Sequence, residues 1–481
     1  MRETDSGMIG VSVIDVGPCS FDNDSLCRVR FQGAHSLGDL PIEAALSHSI
    51  GIRIPSPHHC RAATNRGVWS LIMPHARIGL WLIGAKGGVA TTALTGLTAL
   101  KRGFIGNAGL VSALLRFEPL DLIDWKDLVV GGHDIRPGRL FDEAMRMHSE
   151  SRAIDADILR QCKPDLDKVE KNIRPGTILN VGPTIAKFAD GEVPKRRESP
   201  RAAIERIQHD LESFRRANKL AHLIVVNVAS TEPPVDAAAL PQRWAELNKL
   251  LDKPQRCPLA ASSLYAIAAL DLGCSYVNFT PSLGATPPAI GELAIERGTR
   301  HMGYDGKTGE TLLKSVLAPM FAKRNLEVMS WVGHNIFGNM DGKVLDDPAN
   351  KKSKVVSKDR LLGQILGYPP QTLVSIEYIK SLGDWKTAWD HVHFRGFLGT
   401  PMTFQFIWQG CDSLLAAPLV LDLVRFTERA WRQGDVGVLA FLACFFKSPL
   451  GTSEQDFGLQ FEMLEGWTRS CASTRAEKSR A

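Results

Sequence analysis

The chain has 481 residues, with 57 lysines and arginines against 52 aspartates and glutamates, a net charge of +5. That length fits about two to four domains with cores of their own, and 44% hydrophobic with 23% charged residues excludes a disordered, collagenous or coiled-coil chain. So small a charge excess leaves no footprint for nucleic acid, and no run of ~20 apolar residues offers a membrane span.

Residues 1–72 stand apart. They hold no lysine, three of the nine cysteines and four of the thirteen histidines, and no sustained helical or strand period. Two readings fit: a mobile regulatory arm, or a translation start at Met73. The second is the better, because the first convincing strand follows directly, and on either reading residues 1–72 are expected to be poorly ordered. His58-His59-Cys60 has metal donors, but no second cluster completes a ligand set, so no metal site is assigned. The irregular cysteine spacing, without a CxxC pair, speaks for a reducing cytoplasm.

From Met73 the pattern becomes regular. Ile78 to Gly84 reads as a buried strand, Ala90 to Leu100 as a helix that Gly103 can close, and Leu128 to Asp134 as a second strand. Pro200 to Ala217 has apolar residues at helical spacing (Ile204, Ile207, Leu211, Phe214). Leu223 to Val228 is a continuous apolar strand suited to a parallel sheet covered on both faces. This alternation predicts an α/β fold with a Rossmann-like, doubly wound parallel sheet. After about residue 300 the texture changes. Strand candidates Leu326 to Trp331 and Leu373 to Ile379 alternate with helix candidates and lysine-rich loops, a second mixed α/β domain. Ser413 to Trp431 reads as a long apolar helix interrupted near Pro418, and Cys471 to Ala481 as a polar, frayed end.

Between the first strand and helix lies Gly84-Ala-Lys-Gly87-Gly88-Val89-Ala-Thr-Thr. Glycines there let a backbone approach a pyrophosphate, and a helix N-terminus supplies free N–H groups and a positive dipole. The spacing is not the usual GxGxxG, so a tight turn without a ligand also fits. A phosphate-binding loop of a nucleotide hydrolase does not, because Val89-Ala90 stand where Gly-Lys is needed. No acidic residue lies between Arg77 and Glu118 to hold a ribose, which leaves Asp134, at a strand end, as the candidate; it could equally cap a turn.

The C-terminal half places lysines beside small or acidic residues: Asp305 near Lys307 and Thr308, then Asn339 and Asp341, then Lys354 and Lys358. Asp384 and Lys386 follow, then Asp412 and finally Lys447. Lys354 and Lys358 are four apart, so a helix would stack them on one face, where like charges cost about 0.2–0.5 kcal/mol unless an anion lies between them; a solvated basic face is the plainer reading. Lys447 interrupts the apolar run Leu439 to Phe446, a stronger hint than a loop lysine.

Taken together, ordered blocks carry a resemblance. LIGAKGGVATT (82–92), GGHDI (131–135), NVASTE (227–232), YVNFTPS (276–282), GYDGKTGETLLKSVLAP (303–319), GHNIFGNMDG (333–342), SKVVSK (353–358), EYIKSLGDWKTAWD (377–390) and FFKSPL (445–450) make residues 77–467 similar to the inositol-3-phosphate (myo-inositol-1-phosphate) synthase family, in a divergent bacterial form. The resemblance implies NAD as cofactor and a sugar phosphate, glucose 6-phosphate, as substrate, in a cytoplasmic homotetramer. It implies an NAD-binding part over 73–305, a catalytic and tetramerising part over 306–412, and a segment over 413–481 that packs back on the first. It also implies roles: Lys354 in proton transfer at O5, Lys358 on the phosphate, and Lys386 and Lys447 on oxygen charge at C1 and C5. Asp305, Thr308, Asn339, Asp341 and Asp412 would position substrate, cofactor or lysines. Gly84, Gly87, Gly88, Val89, Asp134, Ala229, Ser230 and Asp384 would serve NAD. Thr308 replaces the serine, and Leu312 the lysine, of eukaryotic members, and the glycine turn lacks their paired asparagines. Leu312 keeps open an NAD enzyme acting on another sugar phosphate, beside a non-catalytic NAD-binding redox sensor.

Overall fold

Strand β1 (Ile78–Ile83) is buried along its whole length, and its side chains diverge alternately into two cores. Ile78, Leu80 and Leu82 enter one; Trp81 and Ile83 enter the other. Both faces of the sheet are therefore covered, as the unbroken apolar run requires. The computed structural model describes residues 76–191, 193, 198–339, 342 and 361–480. Residues 1–72, Met73, His58-His59-Cys60, Asp341, Lys354 and Lys358 lie outside them.

The other strands, in chain order, are β2 (Leu128–Asp134), β3 (Ile173–Pro175), β4 (His222–Asn227), β5 (Ser275–Asn278), β6 (Arg300–Gly303), β7 (Glu327–Phe337), β8 (Gln371–Tyr378), β9 (Trp385–Arg395), β10 (Pro401–Cys411) and β11 (Gly437–Val438). One sheet is wholly parallel, in the order β3-β2-β1-β4-β5-β6-β11. That is a doubly wound Rossmann-like order, with its switch point between β1 and β4. Helices α1 (Gly88–Lys101), α2 (Leu140–Ser151) and α3 (Ala156–Glu170) contribute to one core. Helices α4 (Pro200–Asn218), α5 (Ala261–Asp271) and α6 (Pro288–Glu296) contribute to the opposite one. The start of α4 was written in the sequence: Ser199 Oγ accepts the N–H of Ala202 and Pro200 opens the first turn.

After β6, helix α7 (Gly309–Lys323) packs Phe321 against Trp331 and Val392 of a second, mixed sheet ordered β10-β9-β7-β8. Strands β10 and β7 run antiparallel to β9, and β8 parallel to β7. The strand expected over Leu326 to Trp331 runs on to Phe337. The far face of this sheet aligns Ile407 opposite Trp389 and Trp389 opposite His334. His334 stacks on Trp389 at 5.6 Å, while Ile407 is 71% and Leu373 54% exposed.

The chain then returns to the parallel sheet. Helix α8 (Asp412–Gln433) runs unbroken through Pro418, contrary to the expected interruption. Pro418 deprives one carbonyl of its partner, but Ala417, Val420, Leu421 and Val424 bury against the core of α1, and this packing holds the axis. Helix α9 (Phe457–Arg480) corrects the expected frayed end: it continues to Arg480, with Leu464 and Cys471 buried in the same core. No described helix is long and apolar enough to cross a membrane.

Candidate active site

The carboxyl end of the parallel sheet and one end of the mixed sheet open onto one cavity of about 650 Å³. The glycine turn forms its floor. Gly84 has φ +79°, and a Cβ there would stand 2.7 Å from the Cα of Ala229, so only glycine lets the turn lie against the loop after β4. Gly87 caps α1 with no side chain bonded to the helix end and no acid in the first turn. The N–H groups of that end therefore keep their hydrogen-bonding capacity and positive dipole for an anion. A Cβ on Gly88 would stand 3.0 Å from Ser413 Oγ, so α1 meets the first turn of α8 at this point.

Asp134 ends β2 beside the turn. Its Oδ2 accepts the Lys86 N–H at 2.6 Å and its Oδ1 the Arg136 N–H at 2.8 Å. The carboxylate thus holds the turn and faces the cavity, so the two readings of Asp134 are compatible. Behind it, Trp81 Nε1 donates to His133 Nδ1 at 2.9 Å, which leaves the proton on Nε2, 3.1 Å from Asp210. Burial lowers the His133 pKa and keeps the ring neutral.

Lys447 reaches the cavity by a local strand pairing. Residues 304–307 and 445–448 exchange backbone bonds: Lys307 N to Phe445 O at 2.8 Å, Lys447 N to Asp305 O at 2.7 Å and Tyr304 N to Ser448 O at 3.0 Å. The pairing sets the Lys447 ammonium 2.8 Å from Asp305 Oδ1. Lys386, near the start of β9, lies 3.8 Å from Asp412 Oδ1 and 5.3 Å from the centre of the Phe337 ring. Asp384 lies on the cavity wall and engages α8 with its carboxylate: its oxygens accept Ser413 Oγ at 3.0 Å, Ser413 N at 3.2 Å and Cys411 Sγ at 2.7 Å. Burial raises the Asp384 pKa against these donors, and its bonds to the Ser413 N–H and hydroxyl tie it to the first turn of α8.

Gly84, Gly87, Gly88, Val89, Asp134, Ala229, Ser230, Asp305, Thr308, Asn339, Asp384, Lys386, Asp412 and Lys447 all line this cavity. Asp341, Lys354 and Lys358 fall outside the described residues. Among the lining residues that escaped the sequence reading, two bear on the site's charge. Glu232 is buried and accepts the Ser262 N–H at 2.8 Å and the Ser262 hydroxyl, at the start of α5, and burial pushes its carboxyl up to about 7. Its signal was present in the NVASTE block, but nothing in the block tells that the acid is buried. Arg136 follows Asp134 by two residues, and its guanidinium donates to the Lys86 carbonyl.

An uncapped helix start at a glycine turn, with an acid at the next strand end, fits a dinucleotide; paired ammonium and carboxylate groups beside it fit chemistry on a polar substrate. A family model described as myo-inositol-1-phosphate synthase, an NAD-binding family, matches residues 78–469. The chain belongs to this family. Inositol-3-phosphate synthase 1 of Bacteroides thetaiotaomicron is 32% identical over 417 residues, 82% of this chain and 95% of that protein. The rat protein of the same name is 32% identical over 356 residues, and there the match spans 69% of this chain and 61% of that one. Among solved structures, inositol-3-phosphate synthase from Caenorhabditis elegans superposes with a TM-score of 0.72 at 24% identity, over 82% of this chain and 86% of that one. A myo-inositol-1-phosphate synthase-related protein from Thermotoga maritima gives 0.65 at 24% identity, over 82% and 98%. Membership in the myo-inositol-1-phosphate synthase family makes the chain an isomerase with NAD as its cofactor.

Proposed function

We propose that the chain converts D-glucose 6-phosphate to 1D-myo-inositol 3-phosphate in the cytoplasm, feeding inositol and phospholipid biosynthesis. The observation that carries this reading is the meeting of Lys386 and Lys447, each beside a carboxylate, with the start of α1 on one cavity. NAD, held by the glycine turn, would supply a reversible hydride acceptor for C5 of the open-chain sugar, with none consumed overall. Binding and charge control fall to the protein. Gly84, Gly87, Gly88 and Val89 hold the dinucleotide phosphates at the α1 N–H groups, Asp134 holds the adenosine ribose, and Ala229 and Ser230 flank the cofactor. Asp384 fixes the start of α8, from which Asp412 reaches Lys386.

Lys386 and Lys447 stabilise oxygen charge at C1 and C5 while the C6 proton leaves and the ring closes; an ammonium aimed at a developing oxyanion acts strongly where water is excluded. Asp305 and Asp412 aim the two ammonium groups, and Thr308 and Asn339 position the sugar. Lys354 in proton transfer at O5, Lys358 on the phosphate and Asp341 in positioning rest on the family resemblance. On this reading residues 73–305 bind NAD, 306–412 carry catalysis and assembly, and 413–481 close over the first part. A homotetramer is supported by the apolar, aromatic far face of the second sheet, around Trp389 and Ile407. Six buried free cysteines among the described residues agree with a reducing compartment. Leu312, the reason for considering another sugar phosphate, is not among the residues lining the cavity.

The test is to incubate the full chain with NAD and glucose 6-phosphate and identify the product by mass spectrometry and phosphorus NMR. An inositol phosphate is expected. Its absence across a range of monovalent and divalent cations overturns the reading.

A further inference from the structure

Arg136 has no part in the reaction just described, yet it lies on the rim of the same cavity. Its guanidinium donates to the Lys86 carbonyl and stands 3.9 Å from where a Cβ on Gly87 would be. Its Nε is 3.6 Å from Asp134 Oδ1, and Glu143 is 3.9 Å from Nη1. A cation is therefore laid along the glycine turn, against the one carboxylate that ends β2. The neighbouring cation, Lys86, points elsewhere: its Nζ binds the Gly138 carbonyl at 2.6 Å and Glu170 at 3.0 Å.

The two groups favour different dinucleotides. A carboxylate accepts from the two free hydroxyls of an adenosine ribose and repels a 2′-phosphate. A guanidinium offers forked N–H donors that match phosphate oxygens. Dinucleotide folds place an acid or an arginine near this strand end according to the cofactor they take; here both are present.

We propose that Arg136 is a cofactor-specificity residue held in check by Asp134. With the carboxylate in place, the guanidinium's charge is engaged and the site takes NAD; without it, the same guanidinium holds the 2′-phosphate of NADP. The inference rests on the reading above that the adenosine ribose lies at Asp134.

The test is calorimetric titration of the full chain, freed of nucleotide, with NAD and with NADP. It compares wild type, Asp134→Ser, Arg136→Ser and the double variant. Asp134→Ser is expected to weaken NAD ~10-fold and tighten NADP ~10-fold or more, and the double variant to lose that gain. Arg136→Ser alone, which leaves the turn-holding carboxylate intact, is expected to change the ratio of NADP to NAD affinity by less than ~3-fold, because the guanidinium is already engaged. No gain for NADP in Asp134→Ser, or a gain that survives removal of Arg136, overturns the proposal. Unchanged NAD affinity in Asp134→Ser shows instead that the ribose placement is at fault.

Discussion

The ammonium of Lys447 is worth most if its only tasks are to meet Asp305 and a charged oxygen of the substrate. Lys447→Met and Lys386→Met should each lower kcat by ~10²–10⁴-fold, the range of a lost proton-transfer or charge-stabilising group. Steady-state assays check this, with NAD affinity measured alongside to show that the glycine turn survives. Glu232 answers to pH. Burial raises its carboxyl from 4.5 to about 7, so the folded chain keeps a proton that the unfolded chain releases. Its contribution to stability is full below 4.5 and is lost as pH rises to 7. Wild type should therefore lose more melting temperature between pH 4.5 and 7 than Glu232→Gln does, by calorimetry at each pH. The lysines were legible because they break apolar runs or sit beside acids in ordered blocks. The state of Glu232 was not, because its burial comes from the start of α5, thirty positions along the chain.

The glycine turn and α8 illustrate how local signals fared against packing. Gly84 takes a left-handed φ and stands against the backbone of Ala229. Gly84→Ala should cost about 1–2 kcal/mol for the conformation alone. The collision displaces the turn as well, so NAD binding should fall at least ~10-fold by titration. Strands β1, β2 and β4 were readable from their apolar runs, since burial on both faces leaves no polar interruption. Pro418 misled, because a proline's penalty is local while the surface that overrides it, shared by α1 and α8, is distant in sequence. The long pair β9 and β10 was missed for a related reason: Trp389, His391 and His393 alternate with Ala388, Asp390 and Val392. Histidines on the outer face and a buried aspartate bonded to Trp331 Nε1 at 2.7 Å blur the two-residue period.

Two sheets share one cavity, and the far face of the second lies outside it, so the proposed assembly and the chemistry should be separable. Ile407 projects from the far face of the second sheet, away from the core that holds Phe321 and Trp331. Ile407→Lys should weaken a tetramer resting on that face, read as a smaller mass in light scattering after gel filtration, while the folded content measured by circular dichroism holds. The general architecture was legible from the alternation of strands and helices. The convergence of Lys386 and Lys447 on one cavity was legible only through the family resemblance and not from periodicity or spacing, since it depends on residues 445–448 pairing with 304–307 across about 140 positions of chain. That late pairing has a consequence for synthesis: the ribosome must pass residue 447 before the last of these ammonium groups can reach the cavity. On the role proposed for Lys447, a chain cut short before that residue should turn over no sugar, however much of its parallel sheet has already formed.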